Sequence, residues 1–139
     1  MQALAKGTVF RDCAGCPDMA VVPAGSIIVD LPGGNGDPEQ TNGELPPHTL
    51  EIPRTIGVGK YEVTKAQFAR FVQSSGYVVG AGCFAWNGSR YEFDAAKSWR
   101  NPGFVQTGRE PVVCVNWRDA KAYTDWLSSA TGKHYRLPT

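Results

Sequence analysis

Cys13 and Cys16 form the pair of residues whose types and spacing could most readily do chemistry. A zinc site needs about four ligands. The remaining ligands would have to come from Cys83, Cys114, His48 and His134. A thioredoxin-like pair lies between a strand and a helix, whereas Pro17 and strand-like residues follow this one. The pattern favours a local disulfide or two plain thiols over a distant disulfide, a metal site or a redox centre.

The other motifs assign no catalytic, cofactor-binding or metal-binding residue. Cys114 lies in the apolar stretch Val112–Val115, which predicts a short strand with a buried free thiol. The segment Gly33-Gly34-Asn35-Gly36 lacks the strand, helix and lysine of a phosphate-binding loop. The sequence contains no Gly-x-Ser-x-Gly nucleophile elbow.

The charge balance argues against a nucleic-acid partner, since 14 basic residues stand against 13 acidic ones and the net charge is +1. No apolar run reaches the roughly 18 residues of a membrane span. Met1–Lys6 lacks the apolar core of a signal peptide. We therefore expect neither a transmembrane segment nor a signal peptide in this chain, and its compartment stays unassigned.

Length and composition indicate one loop-rich α+β domain. The chain has 139 residues, which suits a single domain. Its 16 glycines and 10 prolines exceed average usage, which disfavours a helical bundle.

The first helix is predicted to begin after Thr64, because Thr64 and Gln67 have the spacing of a capping box. Gly76 has the position of a left-handed C-terminal cap. The apolar stripe of this helix is Phe68, Phe71 and Val72.

A second helix is predicted after Asn116, with Asp119 in its first turn and Gly132 at its end. Its predicted buried stripe is Ala120, Tyr123, Leu127 and Ala130, flanked by Trp117 and Trp126. The residues expected in one buried cluster are Phe68, Phe71, Trp117 and Leu127.

Short strands are predicted at Met19–Val22 and Ser26–Val29, with Ala24-Gly25 as the turn between them. Strand-like sequence continues through Leu50, Ile52, Ile56 and Val58 to Tyr61–Val63. Leu31–His48 holds glycines, prolines and acids but no base, and it is longer than an ordinary connection. That segment is therefore expected to be a functional or mobile loop.

Asn87-Gly88 predicts a type I′ hairpin. A two-residue turn there sets Trp86 opposite Ser89, Phe84 opposite Tyr91 and Gly82 opposite Phe93. The aromatic residues that share one face are Phe84, Trp86, Tyr91 and Phe93. Core packing is the favoured interpretation of this face, and a ligand platform is the alternative.

Five ordered blocks resemble the formylglycine-generating enzyme family, also called the sulfatase-modifying factor domain. The blocks are Phe10–Met19, Val21–Ser26, Glu44–His48, Tyr61–Phe68 and Pro111–Thr139. The first block is similar to one bacterial branch of the family, and the last is the most specific. The resemblance covers nearly the whole chain and implies an irregular α+β fold similar to that of C-type lectins.

The chain departs from the family pattern at three places. Ile28-Val29-Asp30 stands where the family has Met-Gly-Ser, and Lys65 replaces the usual asparagine. The family normally continues beyond Thr139 into another helix, and its copper-binding cysteine pair and calcium loops come after that point. The resemblance therefore implies that residues 1–139 are the N-terminal portion of one domain, with no cofactor site of their own.

Two classes of function follow from the resemblance. The first is an oxidoreductase domain that converts a sulfatase cysteine to formylglycine with copper and oxygen, of which this portion alone is inactive. The second is a non-catalytic lectin-like binding module, or an accessory domain of a non-haem iron enzyme. The expected partners are the missing C-terminal half or a second chain, together with a protein or peptide substrate.

Overall fold

The computed structural model describes residues 5–29 and 48–138. The described residues divide into two compact units, one of residues 5–9, 19–29 and 48–58, the other of residues 10–18 and 59–138. Most of the predicted loop Leu31–His48, including Gly33–Gly36, lies outside the described residues, as does Thr139. Within the described part of the chain, no helix is long and apolar enough to cross a membrane.

The first unit is built from short strands. They are β1 (Val9–Phe10), β2 (Met19–Val22), β3 (Gly25–Val29), β4 (His48–Ile52) and β5 (Ile56–Gly59), of which β1 and β5 each end one residue outside the bounds of the unit. One sheet has the order β1-β2-β5, and β3 pairs antiparallel with β4 so that Ile27 lies opposite Leu50. Met19 and Val21 are buried because alternate residues of β2 share one face. The β2 prediction is confirmed, whereas β3 begins at Gly25, a residue predicted to be in a turn.

In the second unit, α1 (Lys65–Ser75) begins and ends as its sequence predicts. Thr64 Oγ1 accepts a hydrogen bond from Gln67 N at 3.3 Å, and Gln67 Oε1 accepts one from Thr64 N at 2.9 Å. This reciprocal pair satisfies two amides that the helix itself leaves without partners. Gly76 ends the helix at φ 68°, a conformation that favours glycine.

The second helix, α2 (Trp117–Thr131), is also capped as predicted. Asn116 Oδ1 accepts from the Arg118 and Asp119 amides at 2.8 and 3.0 Å, and Gly132 ends the helix at φ 69°. The predicted buried stripe is correct at Tyr123 and Leu127.

Two predictions about α2 are wrong. Trp117 is 68% exposed, because it lies to one side of the line through Asp119, Tyr123 and Leu127 that faces the core. Ala130 is exposed because the core cluster reaches along α2 only as far as Leu127. The sequence prediction also missed the burial of the Asp119 side chain.

A largely aromatic core holds α1 and α2 together. Its buried members are Cys16, Phe68, Phe71, Trp99, Tyr123 and Leu127. The Phe68 ring lies 5.3 Å from the Trp99 ring, and the Phe71 ring lies 5.7 Å from the Tyr123 ring, both edge to face. The predicted cluster of Phe68, Phe71 and Leu127 is confirmed.

The strands predicted at Val112–Val115 and Tyr61–Val63 do not form. Their neighbourhood contains an isolated bridge between Thr64 and Pro111 and a hydrogen bond from Val112 N to Val63 O at 2.9 Å. Cys114 has φ 56°, which interrupts extended backbone because a strand requires negative φ. The second unit also contains the antiparallel hairpin of β6 (Cys83–Trp86) and β7 (Tyr91–Asp94).

Candidate interaction surface and cysteine pairs

The β6–β7 hairpin is closed by the side chain and backbone of Asn87. Asn87 N–H donates to Arg90 O at 3.0 Å, and Asn87 Oδ1 accepts from the Ser89 and Arg90 amides at 2.9 Å each. These bonds place Gly88 and Ser89 at the centre of the turn, one residue later than predicted. Asparagine favours such turns because its side chain accepts from the backbone just beyond it.

The later turn changes the predicted partners but not the predicted face. Phe84 lies opposite Phe93, and Trp86 lies opposite Tyr91, so each predicted partner was wrong by two residues. Successive side chains of a strand point to opposite faces, and a shift of two residues therefore leaves every side chain on its original face. The Phe84 and Phe93 rings are 5.9 Å apart, and the Trp86 and Tyr91 rings are 5.3 Å apart.

This aromatic face is exposed, so its expected place in the core is wrong. Phe84 is 72% exposed, Tyr91 71%, and Trp86 and Phe93 57% each. Among the described residues, β6 and β7 pair with each other and no further helix or strand packs on them. The alternation of side chains along the two strands determines which rings share a face. Whether that face is buried depends on other elements of the structure packing on it. We call Phe84, Trp86, Tyr91 and Phe93 the aromatic surface.

A shallow cavity of about 360 Å³ adjoins the aromatic surface. Its charged lining residues are Glu92, Asp94 and Lys97. Glu92 pairs with Arg90 at 3.2 Å, and Asp94 lies 3.9 Å from Lys97. The carboxylates therefore already have cationic neighbours, and the cavity has no strong charge of one sign.

All four cysteines of the sequence are in disulfides, Cys13 with Cys16 and Cys83 with Cys114. The buried free thiol predicted for Cys114 is wrong, because the turn at Cys114 brings it beside β6, with its Cα 5.1 Å from that of Cys83. This pairing joins residues 31 positions apart, and no local sequence signal indicates it.

The Cys13–Cys16 disulfide closes a loop held on the side of α1. Arg70 Nη1 donates to the Ala14 carbonyl and lies 3.9 Å from Cys13 Sγ. Gly15 has φ 79°, and a side chain there would overlap the Arg70 guanidinium. Tyr135 Oη donates to Asp12 beside this loop. Burial and the Asp12 carboxylate both raise the pKa of Tyr135.

Neither the cysteines nor the other His, Asp and Glu side chains of the described residues form a metal-binding cluster. Cu(I) prefers thiolate ligands, and the cysteines are bonded to each other. No group of three or more His, Cys, Asp or Glu side chains within residues 5–29 and 48–138 is placed to hold a metal ion. His48 opens β4 of the first unit and His134 follows α2 of the second.

Asp119 is the buried polar centre that the sequence did not reveal. It is 1% exposed, and its carboxylate accepts from Tyr77 Oη at 3.1 Å, Gly80 N at 3.3 Å and Asn116 N at 2.9 Å. Burial and the Asp119 carboxylate raise the pKa of the Tyr77 hydroxyl. Asp119 thereby attaches the segment before β6 to the start of α2.

Small sheets, two capped helices and a hairpin, joined by long loops, make up a mixed α and β fold. The family described as "Sulfatase-modifying factor enzyme 1-like domain" matches residues 5–139, so the chain belongs to it. The resemblance carried by the five sequence blocks is confirmed.

Several relatives share this region. The formylglycine-generating enzyme of Streptomyces coelicolor is 33% identical over 80% of this chain and 43% of its own length. The mouse "Inactive C-alpha-formylglycine-generating enzyme 2" is 26% identical over 88% of this chain and 44% of its own length. The solved structure of PvdO from Pseudomonas aeruginosa has a TM-score of 0.78 and 33% identity over 97% of this chain and 48% of that one. The chain thus spans less than half the length of these relatives.

Proposed function

We propose that this chain is the N-terminal portion of a domain that oxidises a sulfatase cysteine to formylglycine, and that it does not perform this reaction by itself. The family match over residues 5–139 carries the proposal. The formylglycine-generating enzymes among its relatives support the reaction class. The proposal includes the finer description of the fold as similar to that of C-type lectins.

The state of the cysteines supports the inactivity of the chain alone. A copper site of the kind that the family implies needs free thiolates, and Cys13, Cys16, Cys83 and Cys114 are all in disulfides. The donor set of this chain therefore does not fit copper, and we derive no catalytic step through it. In this proposal the chain supplies scaffold and binding surface, and ligands for copper and calcium come from other residues.

The aromatic surface is the part of the chain best suited to contact a peptide or protein. Aromatic rings provide large contact areas with little side-chain entropy to lose, and these four rings are already held in cross-strand pairs. Exposed rings in a contiguous group are typical of interaction sites.

A second candidate function is that of a non-catalytic binding module. The same exposed rings favour it, together with the likeness to a mouse relative described as inactive. In this case the aromatic surface binds a partner that is not a substrate for oxidation.

An activity assay tests the proposed inactivity of the chain alone, and a binding assay separates the two candidates. The purified chain is incubated with copper, oxygen and a peptide containing Cys-x-Pro-x-Arg, and the aldehyde is measured by mass spectrometry. The Streptomyces coelicolor enzyme is the positive control, and copper without protein is the blank. We expect no aldehyde above the blank, and conversion by the chain alone would contradict its proposed inactivity.

Binding of the same peptide is followed by tryptophan fluorescence. The first candidate predicts binding that Trp86→Ala weakens and Trp117→Ala leaves intact, since Trp117 is exposed on α2 and not part of the aromatic surface. The absence of peptide binding to the unmodified chain would favour the non-catalytic module.

A further inference from the structure

We propose that the Cys83–Cys114 disulfide is a reversible redox switch that holds the β6–β7 hairpin in place when oxidised. A dithiol reductant opens it before the Cys13–Cys16 disulfide, and opening frees the β6–β7 hairpin while the helical core stays folded. The redox state of this disulfide thereby controls the local stability of the hairpin that carries the aromatic surface. This inference stands on the geometry of the hairpin and does not require the proposed enzymatic function.

The residues just before and just after the β6–β7 hairpin are held by the buried part of the second unit. Before it, Gly80 N donates to the buried Asp119 carboxylate at 3.3 Å. After it, Trp99 is 5% exposed and packs in the core cluster. At its base, Gly82 N donates to Lys97 O at 3.1 Å. Because no helix or further strand of the described residues packs on β6 or β7, the disulfide is the covalent brace that ties the hairpin to the start of α2.

The backbone at or next to each cysteine of this disulfide has a positive φ that can change when the bond opens. Gly82, directly before Cys83, has φ 76°. Glycine adopts positive and negative φ with similar ease, so the chain can change direction at this residue. Cys114 has φ 56° and is the one non-glycine residue of the described part with positive φ. The left-handed region is unfavourable for a residue with a side chain, so release of the disulfide allows Cys114 to return to negative φ.

Solvent access differs between the two disulfides. Thiol–disulfide exchange requires the attacking thiolate to reach one of the sulfurs. Cys83 and Cys114 are each half-buried. In the other pair Cys13 is also half-buried, with Arg70 beside its sulfur, whereas Cys16 is 3% exposed within the core cluster. The Cys83–Cys114 pair therefore offers a reductant two half-buried cysteines, and the Cys13–Cys16 pair offers one.

The chemical step is an ordinary exchange. One thiolate of the dithiol reductant attacks a sulfur of the pair, the Cys83–Cys114 bond breaks, and a mixed disulfide forms. The second thiol of the reductant then resolves this intermediate. The protein gains two electrons and two protons as two thiols, and the reductant becomes a disulfide. A small-molecule disulfide reverses the step by the same exchange and takes up the two electrons and two protons as two thiols.

The test is a dithiothreitol titration of the unmodified chain under native conditions. Exposed thiols are alkylated with iodoacetamide at each point and mapped by peptide mass spectrometry, and hydrogen exchange is measured on the same samples. We expect Cys83 and Cys114 to be alkylated at reductant concentrations that leave Cys13 and Cys16 oxidised. At those points the amides of 83–94 should lose protection, while those of α1 and α2 retain it.

Two results would overturn the proposal. One is alkylation of Cys13 and Cys16 together with or before the other pair, and the second is loss of protection in α2 together with the hairpin. The double variant Cys83→Ser/Cys114→Ser supplies an independent check, since its hairpin should lack protection without reductant. The matched control Cys13→Ser/Cys16→Ser should keep the hairpin protected. Because the titration uses the unmodified chain, it decides the proposal even if a variant does not fold.

Discussion

The Tyr77 hydroxyl donates a hydrogen bond to the Asp119 carboxylate at 3.1 Å, although the two residues are 42 positions apart. The same carboxylate receives the Gly80 amide and completes the capping box of Asn116. A single buried acid thus connects the start of α2 to the chain that leads into the hairpin. Its loss would leave three donors without their acceptor.

We expect Asp119→Ala to lower the free energy of unfolding by at least about 2 kcal/mol, because a hydrogen bond to a charged group typically contributes roughly 1.5–3 kcal/mol. The matched control is Asp125→Ala on the same helix. Asp125 forms an exposed pair with Lys121 at 2.6 Å, and such pairs contribute about 0.3–0.5 kcal/mol. Urea titration measures both variants, and equal losses would contradict the structural role of Asp119.

The core prediction concerns Phe71, which is 1% exposed and has the rings of Tyr77, Tyr123 and Trp126 around it at 5.2 to 5.7 Å. Phe71→Ala should lower the free energy of unfolding by about 3–5 kcal/mol, the typical cost of such a cavity. Phe84→Ala is the control, since Phe84 is 72% exposed. A loss below about 1 kcal/mol for Phe71→Ala in denaturant would mean that the site is not core.

Alkaline pH should destabilise the chain through Tyr123. Burial raises the pKa of Tyr123 to about 12, whereas an unfolded tyrosine has a pKa of about 10. Above the unfolded value, the unfolded chain has lost a proton that the folded chain still holds, so stability falls as pH rises from about 10 to about 12.

The variant Tyr123→Phe tests this pH dependence, because it keeps the ring and removes the ionisable hydroxyl. Urea titrations over the alkaline range should give a shallower decline for the variant than for the unmodified chain. Some decline should remain, because burial and Asp12 also raise the pKa of Tyr135. Parallel curves for the two proteins would refute the assignment to Tyr123.

The sequence predicted the helices well because their signals are local. The Thr64–Gln67 and Asn116–Asp119 boxes and the glycines at 76 and 132 lie within a few residues of the bonds that they make. The family was also recognisable, since its short motifs keep their order along the chain.

The candidate site could not be predicted in the same way, because it depends on distant pairings. Nothing near Cys114 indicates that Cys83 is its partner, and the apolar neighbours of Cys114 suggest a strand that its positive φ prevents. Periodicity identifies the aromatic surface but not its exposure, since what covers a face is decided by other elements. The sequence places Asp119 in the first turn of a helix, and its additional bonds to Tyr77 and Gly80 come from tertiary structure.

Replacing Gly82 and Gly88 by alanine should distinguish the cost of backbone strain from the cost of steric overlap in the hairpin. Gly82 and Gly88 have φ 76° and 104°, so alanine is strained at both positions. A side chain at Gly82 would also overlap the Phe93 ring, whereas a methyl group at Gly88 would point into open space. Overpacking typically costs about 1–3 kcal/mol. We therefore expect Gly82→Ala to lower the urea midpoint further than Gly88→Ala does, and the reverse order would contradict the contact with Phe93.

The aromatic surface should make the chain bind the dye ANS and self-associate in light scattering, unless a partner covers it. Contiguous apolar patches above a few hundred Å² are uncommon on monomers, and the four rings of this surface are each more than half exposed. Phe84→Ser/Tyr91→Ser should reduce both signals. Val78→Ser/Val105→Ser is the control, because these residues are 87% and 95% exposed but lie outside the surface. A stable monomer that binds no dye and unfolds in one sharp transition would refute the prediction, since it would mean that the rings are covered in solution.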